Sequence, residues 1–126
     1  MLTPIAYGLA IVLNLFIVFI GLRFLLQPRL AAAGYGVGVG DGSGAGVGAY
    51  LSVKGVRDTT YGLVGLALLA FAGVTAEAWF MLIVALAPLG DTVIVLRNGG
   101  MRATAFGIHF ATAVLVLLSA GLLFAA

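Results

Sequence analysis

Three side chains that can transfer protons or hold a polar ligand lie within or at the start of apolar stretches. These are Asp58, Asp91 and His109, on three different stretches. Ionisable groups at such positions are functional candidates by default, and carboxylate and imidazole groups can act as general acids and bases. Arg57 and Arg23 are the expected partners of the carboxylates, because a guanidinium pairs with a carboxylate bidentately. The alternative is a structural polar network that fixes helix register. The predicted ligand site consists of Asp58, Asp91, His109, Arg57, Arg23 and Tyr61.

The depth of these residues follows from their spacing to basic residues at the predicted helix ends. Asp91 lies six residues before Arg97, which is about 9 Å along a helix. His109 lies seven residues after Arg102, which is about 10 Å. A carboxylate at membrane depth costs about 2.5–3.5 kcal/mol on insertion scales. We therefore expect the carboxylates to face the interior of a helix bundle.

The sequence predicts no metal site and does not indicate a cofactor. The chain has no cysteine, which removes disulfides, thiolate ligands and a cysteine nucleophile. One histidine and two aspartates could form a three-ligand set, but no closely spaced pair of ligands shares a helical face. Ser52 and Ser119 fall at opposite ends of the predicted helices, so no hydrolytic triad is expected.

The composition is that of an integral membrane protein. Of the 126 residues, 63% are hydrophobic and 8% are charged, whereas about a quarter are charged in soluble domains. The net charge of +2 comes with six basic residues beside apolar stretches, which are orientation signals rather than a nucleic-acid footprint. Membrane lipid is the expected partner, and a homo-oligomer or a larger membrane complex is compatible with the sequence. The expected location is the bacterial inner (cell) membrane.

Four apolar stretches are long enough to cross a bilayer as helices, at about 5–26, 56–74, 78–96 and 103–125. The predicted fold class is all-α, an integral membrane four-helix bundle with residues 1–126 in a single domain. Asn14 is expected to make a helix-to-helix hydrogen bond. All six Lys and Arg residues flank one end, and the other end holds both termini and Glu77, in a short turn around 75–78. The positive-inside rule makes the basic end cytoplasmic and places both termini outside.

A glycine-rich run lies in the predicted loop between the first two spans, over about 27–55. Glycine occupies every second position from Gly34 to Gly48. All these positions are even, so the odd offsets of a dinucleotide fingerprint or a P-loop cannot occur within the run. A fifth span here would cost on the order of 8 kcal/mol in helix propensity and would bury Asp41. We predict a long, flexible Gly-rich loop of silk-like composition on the cytoplasmic side.

The predicted helix ends carry four characteristic segments: GLRFLLQPRLAAAGYG, AYLSVKGVRD, PLGDTVIVLRNGG and RATAFGIH. With these segments the chain resembles an uncharacterised family of small four-helix membrane proteins, the domain of unknown function 4267, which is broadly similar to the DoxX-like membrane proteins. The resemblance covers most of the chain and implies that Arg57, Asp58, Asp91 and His109 belong to one site. It carries over no catalytic role, because no activity is established for the family. The glycine run looks like an insertion in a loop that is usually shorter.

These features support functions from three classes. The first is an intramembrane pocket for a small or lipid-like ligand, with acid–base chemistry such as an isomerisation, and the sequence leaves open whether the protein is an enzyme. The second is a structural or accessory subunit of a larger membrane complex, in which the polar cluster only supports the fold. The sequence favours a proton-coupled small transporter least, because the first span contains no acidic residue.

Overall fold

The computed structural model describes residues 1–40 and 44–126, which form helices and turns and no strand. Helix α1 covers Leu2–Leu26, α2 covers Pro28–Tyr35, and α3 covers Ala45–Ala67 and continues into a π-helical turn, Leu68–Ala72. Helices α4 (Val74–Val84) and α5 (Leu86–Arg97) follow one another almost without interruption. The chain ends with α6 (Arg102–Thr104), a second π-helical turn (Ala105–Phe110) and α7 (Ala111–Ala125).

Helices α1 and α3 pack antiparallel through glycines that allow their backbones to approach closely. Gly65 lies against the Asn14 side chain. A hypothetical Cβ on Gly55 would lie 2.9 Å from the carbonyl oxygen of Gly21. A hypothetical Cβ on Gly62 would collide with the carbonyl oxygen of Asn14. Small residues at helix interfaces are typical of membrane proteins, where packing rather than hydrophobic burial drives association.

We expect Gly62→Ala to destabilise the protein by about 1–2 kcal/mol, because overpacking costs about 1–3 kcal/mol and alanine regains up to about 1 kcal/mol of helix propensity. The matched control is Gly121→Ala in α7, since nothing lies within 4 Å of its hypothetical Cβ. The midpoint of thermal unfolding in detergent should fall for Gly62→Ala and stay level or rise for Gly121→Ala. Equal midpoints for the two variants would contradict the close α1–α3 contact.

The remaining helices form a second antiparallel pair, with α7 against α4 and the second π-helical turn against α5. The rings of Trp79 and Phe124 meet edge to face, with centroids 5.1 Å apart. Helix α4 ends at Val84, and Pro88 explains this end, because it has no N–H to donate to the Val84 carbonyl group. The main apolar core joins α1, α4, α7 and the first π-helical turn. Its buried members are Ala6, Ala10, Leu69, Ala78, Met81, Ala85, Val116, Ala120 and Leu123.

The prediction of a loop over 27–55 is wrong for most of its length. Helix α2 occupies 28–35, and α3 begins at Ala45 instead of near residue 56. Leu51 packs against a small buried cluster that includes Phe24 and Ala31, and such packing outweighs the cost of about 1 kcal/mol for each helical glycine. Gly36 and Gly40 adopt positive φ angles of 93° and 62° in the connection. Residues 41–43, and with them the interpretation of Asp41, lie outside the described residues.

The prediction of a turn around 75–78 is also wrong, because Gly73 alone separates the first π-helical turn from α4. Gly73 has a φ angle of 101°, which glycine adopts without strain. Helix α4 therefore begins at Val74 and carries Glu77 into the protein interior, where its side chain is fully buried.

Within the described parts of the chain, three helical stretches are long and apolar enough to cross a membrane: 2–26, 74–97 and 102–125. The stretch 45–72 is helical but does not reach the same hydropathy, because Lys54, Arg57 and Asp58 lie in its first half. The antiparallel pairs bring all six basic residues to the end where α1 finishes, and both chain termini to the opposite end. The protein is therefore all-α with membrane-capable helices, as the sequence predicts.

Candidate functional site

A cavity of about 430 Å³ lies between the helices and runs from the middle of α1 to the basic end of the molecule. The part of the cavity at the middle of α1, called the deep part below, is almost entirely apolar. Its lining includes Leu13, Phe80, Met81 and Val116. Polar and charged side chains line the part near the basic end. These are Arg23, Tyr35, Lys54, Asp58, Tyr61, Asp91 and His109. The cavity thus has one apolar end and one polar end.

Tyr35, the last residue of α2, lies at the centre of the polar part. Its hydroxyl group donates a hydrogen bond to Oδ2 of Asp91. Its backbone carbonyl oxygen accepts a hydrogen bond from Nε2 of His109 at 2.7 Å, and the two rings lie with their centroids 4.3 Å apart. One residue of α2 therefore connects the α5 carboxylate with the imidazole of the second π-helical turn.

Burial raises the pKa of Tyr35 far above its usual value, and the nearby carboxylate of Asp91 raises it further. The phenol therefore stays protonated at any physiological pH and remains a hydrogen-bond donor to Asp91. The hydrogen bond therefore holds that carboxylate in one orientation.

A partly buried ion pair forms a second part of the polar cluster. Nζ of Lys54 lies 2.7 Å from Oδ2 of Asp58, one helical turn further along α3. The same ammonium group lies over the rings of Tyr35 and Phe24, at 4.2 Å and 4.9 Å from their centroids. Cation–π contacts at these distances are attractive. Lys54 therefore ties α3 to both α2 and α1 at the polar end of the cavity.

His109 owes its position to the second π-helical turn, Ala105–Phe110. Such turns within α-helices are frequent at functional sites. The imidazole is 4% exposed. Because Nε2 donates to the Tyr35 carbonyl oxygen, Nδ1 is the acceptor atom of the neutral ring.

The structure brings five of the six predicted site residues to one cavity: Asp58, Asp91, His109, Arg23 and Tyr61. Arg57 is exposed and is not among the described residues that line the cavity. Consecutive residues of a helix point about 100° apart, so a buried Asp58 directs Arg57 away from the site. The expectation that Arg57 or Arg23 pairs with Asp58 is wrong, because the partner is Lys54.

Two central residues, Tyr35 and Lys54, were missed by sequence reasoning. Lys54 lies four residues before Asp58, and that spacing is a recognisable signal for a pair on one helix face. Tyr35 lies within the glycine-rich run, whose composition indicates a tether, and no local signal predicts its contacts with α5 and His109. Among the described residues, no group of three or more His, Asp or Glu side chains is arranged to hold a metal ion.

A comparison with protein-family models finds one that matches residues 14–123, and its description is Domain of unknown function (DUF4267). No curated protein and no solved structure matches the chain. The broader likeness to the DoxX-like membrane proteins therefore receives no support from these comparisons.

Proposed function

We propose that this chain, which belongs to the DUF4267 family, is a multi-pass membrane protein that binds an amphiphile between its helices. The observation that carries the proposal is the cavity of about 430 Å³ with one apolar and one polar end. Small-molecule sites usually have volumes of about 300–1,000 Å³, apolar walls and a few polar groups that fix orientation. The tail of the ligand would lie along Met81 and Val116, and its polar head would contact Asp91 and His109.

The charges of the lining support a ligand whose head carries no net charge. Among the described residues, the cavity is lined by two cations and two carboxylates, which are Arg23, Lys54, Asp58 and Asp91. A head group with a net charge would meet a like charge in the site at a cost in affinity. We therefore propose a neutral or zwitterionic head on a lipid-like chain.

Acid–base chemistry on the bound head is a further part of the proposal. The second carboxylate oxygen of Asp91 and Nδ1 of neutral His109 are both proton acceptors. Either group could take a proton from one atom of the ligand and return the same proton to another atom, as an isomerisation requires. Recovery of the ligand chemically unchanged after long incubation would restrict the site to binding.

We also propose that the four helical stretches form a membrane four-helix bundle in the bacterial inner membrane, with the basic end cytoplasmic. Support comes from the hydropathy of three stretches and from the six basic residues at one end, by the positive-inside rule. The stretch 45–72 completes the bundle, because its glycines pack closely against α1.

The absence of cysteine allows a direct test of this orientation. A single cysteine at Ala126 should react with a membrane-impermeant maleimide in intact cells, and one at Asn98 should react only after the cells are broken. Protein yield serves as the control for insertion. The reverse pattern of labelling would overturn the proposed orientation.

The ligand proposal is tested with three probes that share a lauroyl or dodecyl tail: lauroyl-lysophosphatidylcholine, laurate and dodecylammonium. Native mass spectrometry of the detergent-released protein should give one bound zwitterionic probe per chain and weaker binding of the two charged probes. Asp91→Asn should weaken binding of the zwitterionic probe. Equal binding of all three, unchanged by Asp91→Asn, would contradict the site. Copurification of a partner protein with no probe bound would instead favour an accessory subunit.

A further inference from the structure

Glu77 is a fully buried carboxyl group outside the polar cluster. It lies in the first turn of α4, and its side chain is 0% exposed. Its Oε1 accepts a hydrogen bond from Nδ2 of Asn14 at 2.7 Å, which confirms the helix-to-helix bond expected of Asn14. Its Oε2 has no hydrogen-bond partner among the described residues. The buried group therefore has one satisfied oxygen and one unsatisfied oxygen.

Among the described residues, the surroundings of Glu77 provide no compensating charge. Its neighbours on α4, Ala78 and Met81, belong to the apolar core that α4 shares with α1, α7 and the first π-helical turn. Titratable and polar groups on the packed elements are the partly buried Tyr7 of α1 and the buried Ser119 of α7. The amino group of Met1 is at this end of α1 but is fully exposed. All six basic residues belong to the elements of the opposite end.

We propose that Glu77 and Asn14 form a proton-binding site in the membrane-spanning part of the protein. An ionised carboxylate without a cation is unfavourable in an apolar interior, whereas the neutral acid is tolerated there. In the protonated state, Oε1 is the carbonyl oxygen that accepts from Asn14, and the proton resides on Oε2. A metal ion is a poor fit, because one carboxyl and one amide group supply too few oxygen ligands and Glu77 is fully buried.

Asn14 joins the proton site to the cavity. It lines the deep part of the cavity and at the same time donates to Glu77. Its amide is held in place by Gly65, where any Cβ would overlap the Asn14 side chain. Movement of this one side chain would change the cavity wall and open the carboxyl group to proton exchange. Proton and ligand binding are therefore linked through Asn14. This link rests on the proposed function, while the proton site itself does not.

The proton site is tested by infrared spectroscopy of the full-length protein in lipid, without any added ligand. The spectrum of the wild type minus that of Glu77→Gln should contain the C=O stretching band of a protonated carboxylic acid at pH 7. Glutamine is a matched replacement, because its side-chain carbonyl oxygen still accepts from Asn14. Asn14→Leu should shift the band to higher frequency, because the C=O group loses its hydrogen-bond donor. The band should lose intensity as the pH is raised.

Carboxylate bands alone in the wild-type difference spectrum at pH 7 would overturn the proposal, as would a C=O band unmoved by Asn14→Leu. Should Asn14→Leu fail to fold, labelling of the wild type with dicyclohexylcarbodiimide decides the matter, because this lipid-soluble reagent attacks protonated carboxyl groups. Modification of the peptide that contains Glu77 by one carbodiimide would support the site, provided that the extent of modification falls as the pH rises. Labelling of Asp58 or Asp91 without Glu77 would contradict it. Neither measurement depends on whether the cavity binds an amphiphile.

Discussion

Lys54→Met is expected to lower the free energy of unfolding by about 2–3 kcal/mol, because it leaves the buried carboxylate of Asp58 without its cation. Removing one partner of a fully buried ion pair costs about 3–5 kcal/mol. The loss is smaller here because the Lys54 side chain is 28% exposed and water screens the pair. The variant also loses the cation–π contacts with Tyr35 and Phe24. Chemical unfolding in mixed micelles measures the loss.

A double-mutant cycle isolates the ion pair within this effect. Asp58→Asn alone should cost less than Lys54→Met, because the remaining ammonium group can reach water. Adding Asp58→Asn to Lys54→Met should recover stability, since no unpaired charge then stays buried. Arg57→Met is the matched control, because Arg57 is exposed on the same helix, and it should stay within about 0.5 kcal/mol of wild type. A double variant that is no more stable than Lys54→Met would show that the unpaired carboxylate is not the cause.

Val116→Phe is expected to weaken binding of lauroyl-lysophosphatidylcholine more than tenfold, or by at least about 1.4 kcal/mol. Val116 lines the deep part of the cavity and is 8% exposed, so the larger ring would occupy the space proposed for the tail. The site would lose volume while Asp91 and His109 keep their contacts. Titration of the probe by native mass spectrometry or by isothermal calorimetry measures the change.

The matched control for the filled cavity lies two residues away on the same helix. Val114 is 48% exposed on the outer face of α7, so Val114→Phe should leave binding unchanged. Ala87→Phe fills the cavity from α5 and should weaken binding in the same way if Val116→Phe is poorly folded. Equal affinities for Val114→Phe and the two filling variants would show that the probe binds elsewhere, for example on the lipid-facing surface.

The sequence was sufficient to predict, among the described residues, three apolar helical stretches to within about four residues at each end. The predicted span 103–125 differs from the helical stretch 102–125 by one residue at its start, because charged residues and Asn-Gly-Gly mark that boundary. The cost of an isolated carboxylate in a membrane predicts that Asp91 faces the bundle interior, and the family resemblance implies that Asp91 and His109 belong to one site. The structure places both beside the same cavity.

The contacts of these residues could not be predicted, because they depend on how distant elements pack. Tyr35 meets Asp91 across 56 positions of sequence, and no local pattern encodes that meeting. Composition predicts a tether over the glycine run, yet both ends of the run are helical, where α2 and α3 pack with α1. Glu77 was expected in an outer turn. Gly73 allows α4 to begin at Val74, so Glu77 lies in the first turn of that helix and is buried.

The most direct measurement of the proposed ligand site is the electron density of crystals grown from a lipid mesophase. An elongated density should extend from the level of Asn14 and Met81 to the polar end, with its head within hydrogen-bonding distance of Asp91 or His109. The same density should be missing from crystals of Val116→Phe. A wild-type cavity that contains only separate water molecules, or that is closed by inward movement of Phe80 and Val116, would contradict an amphiphile site between the helices.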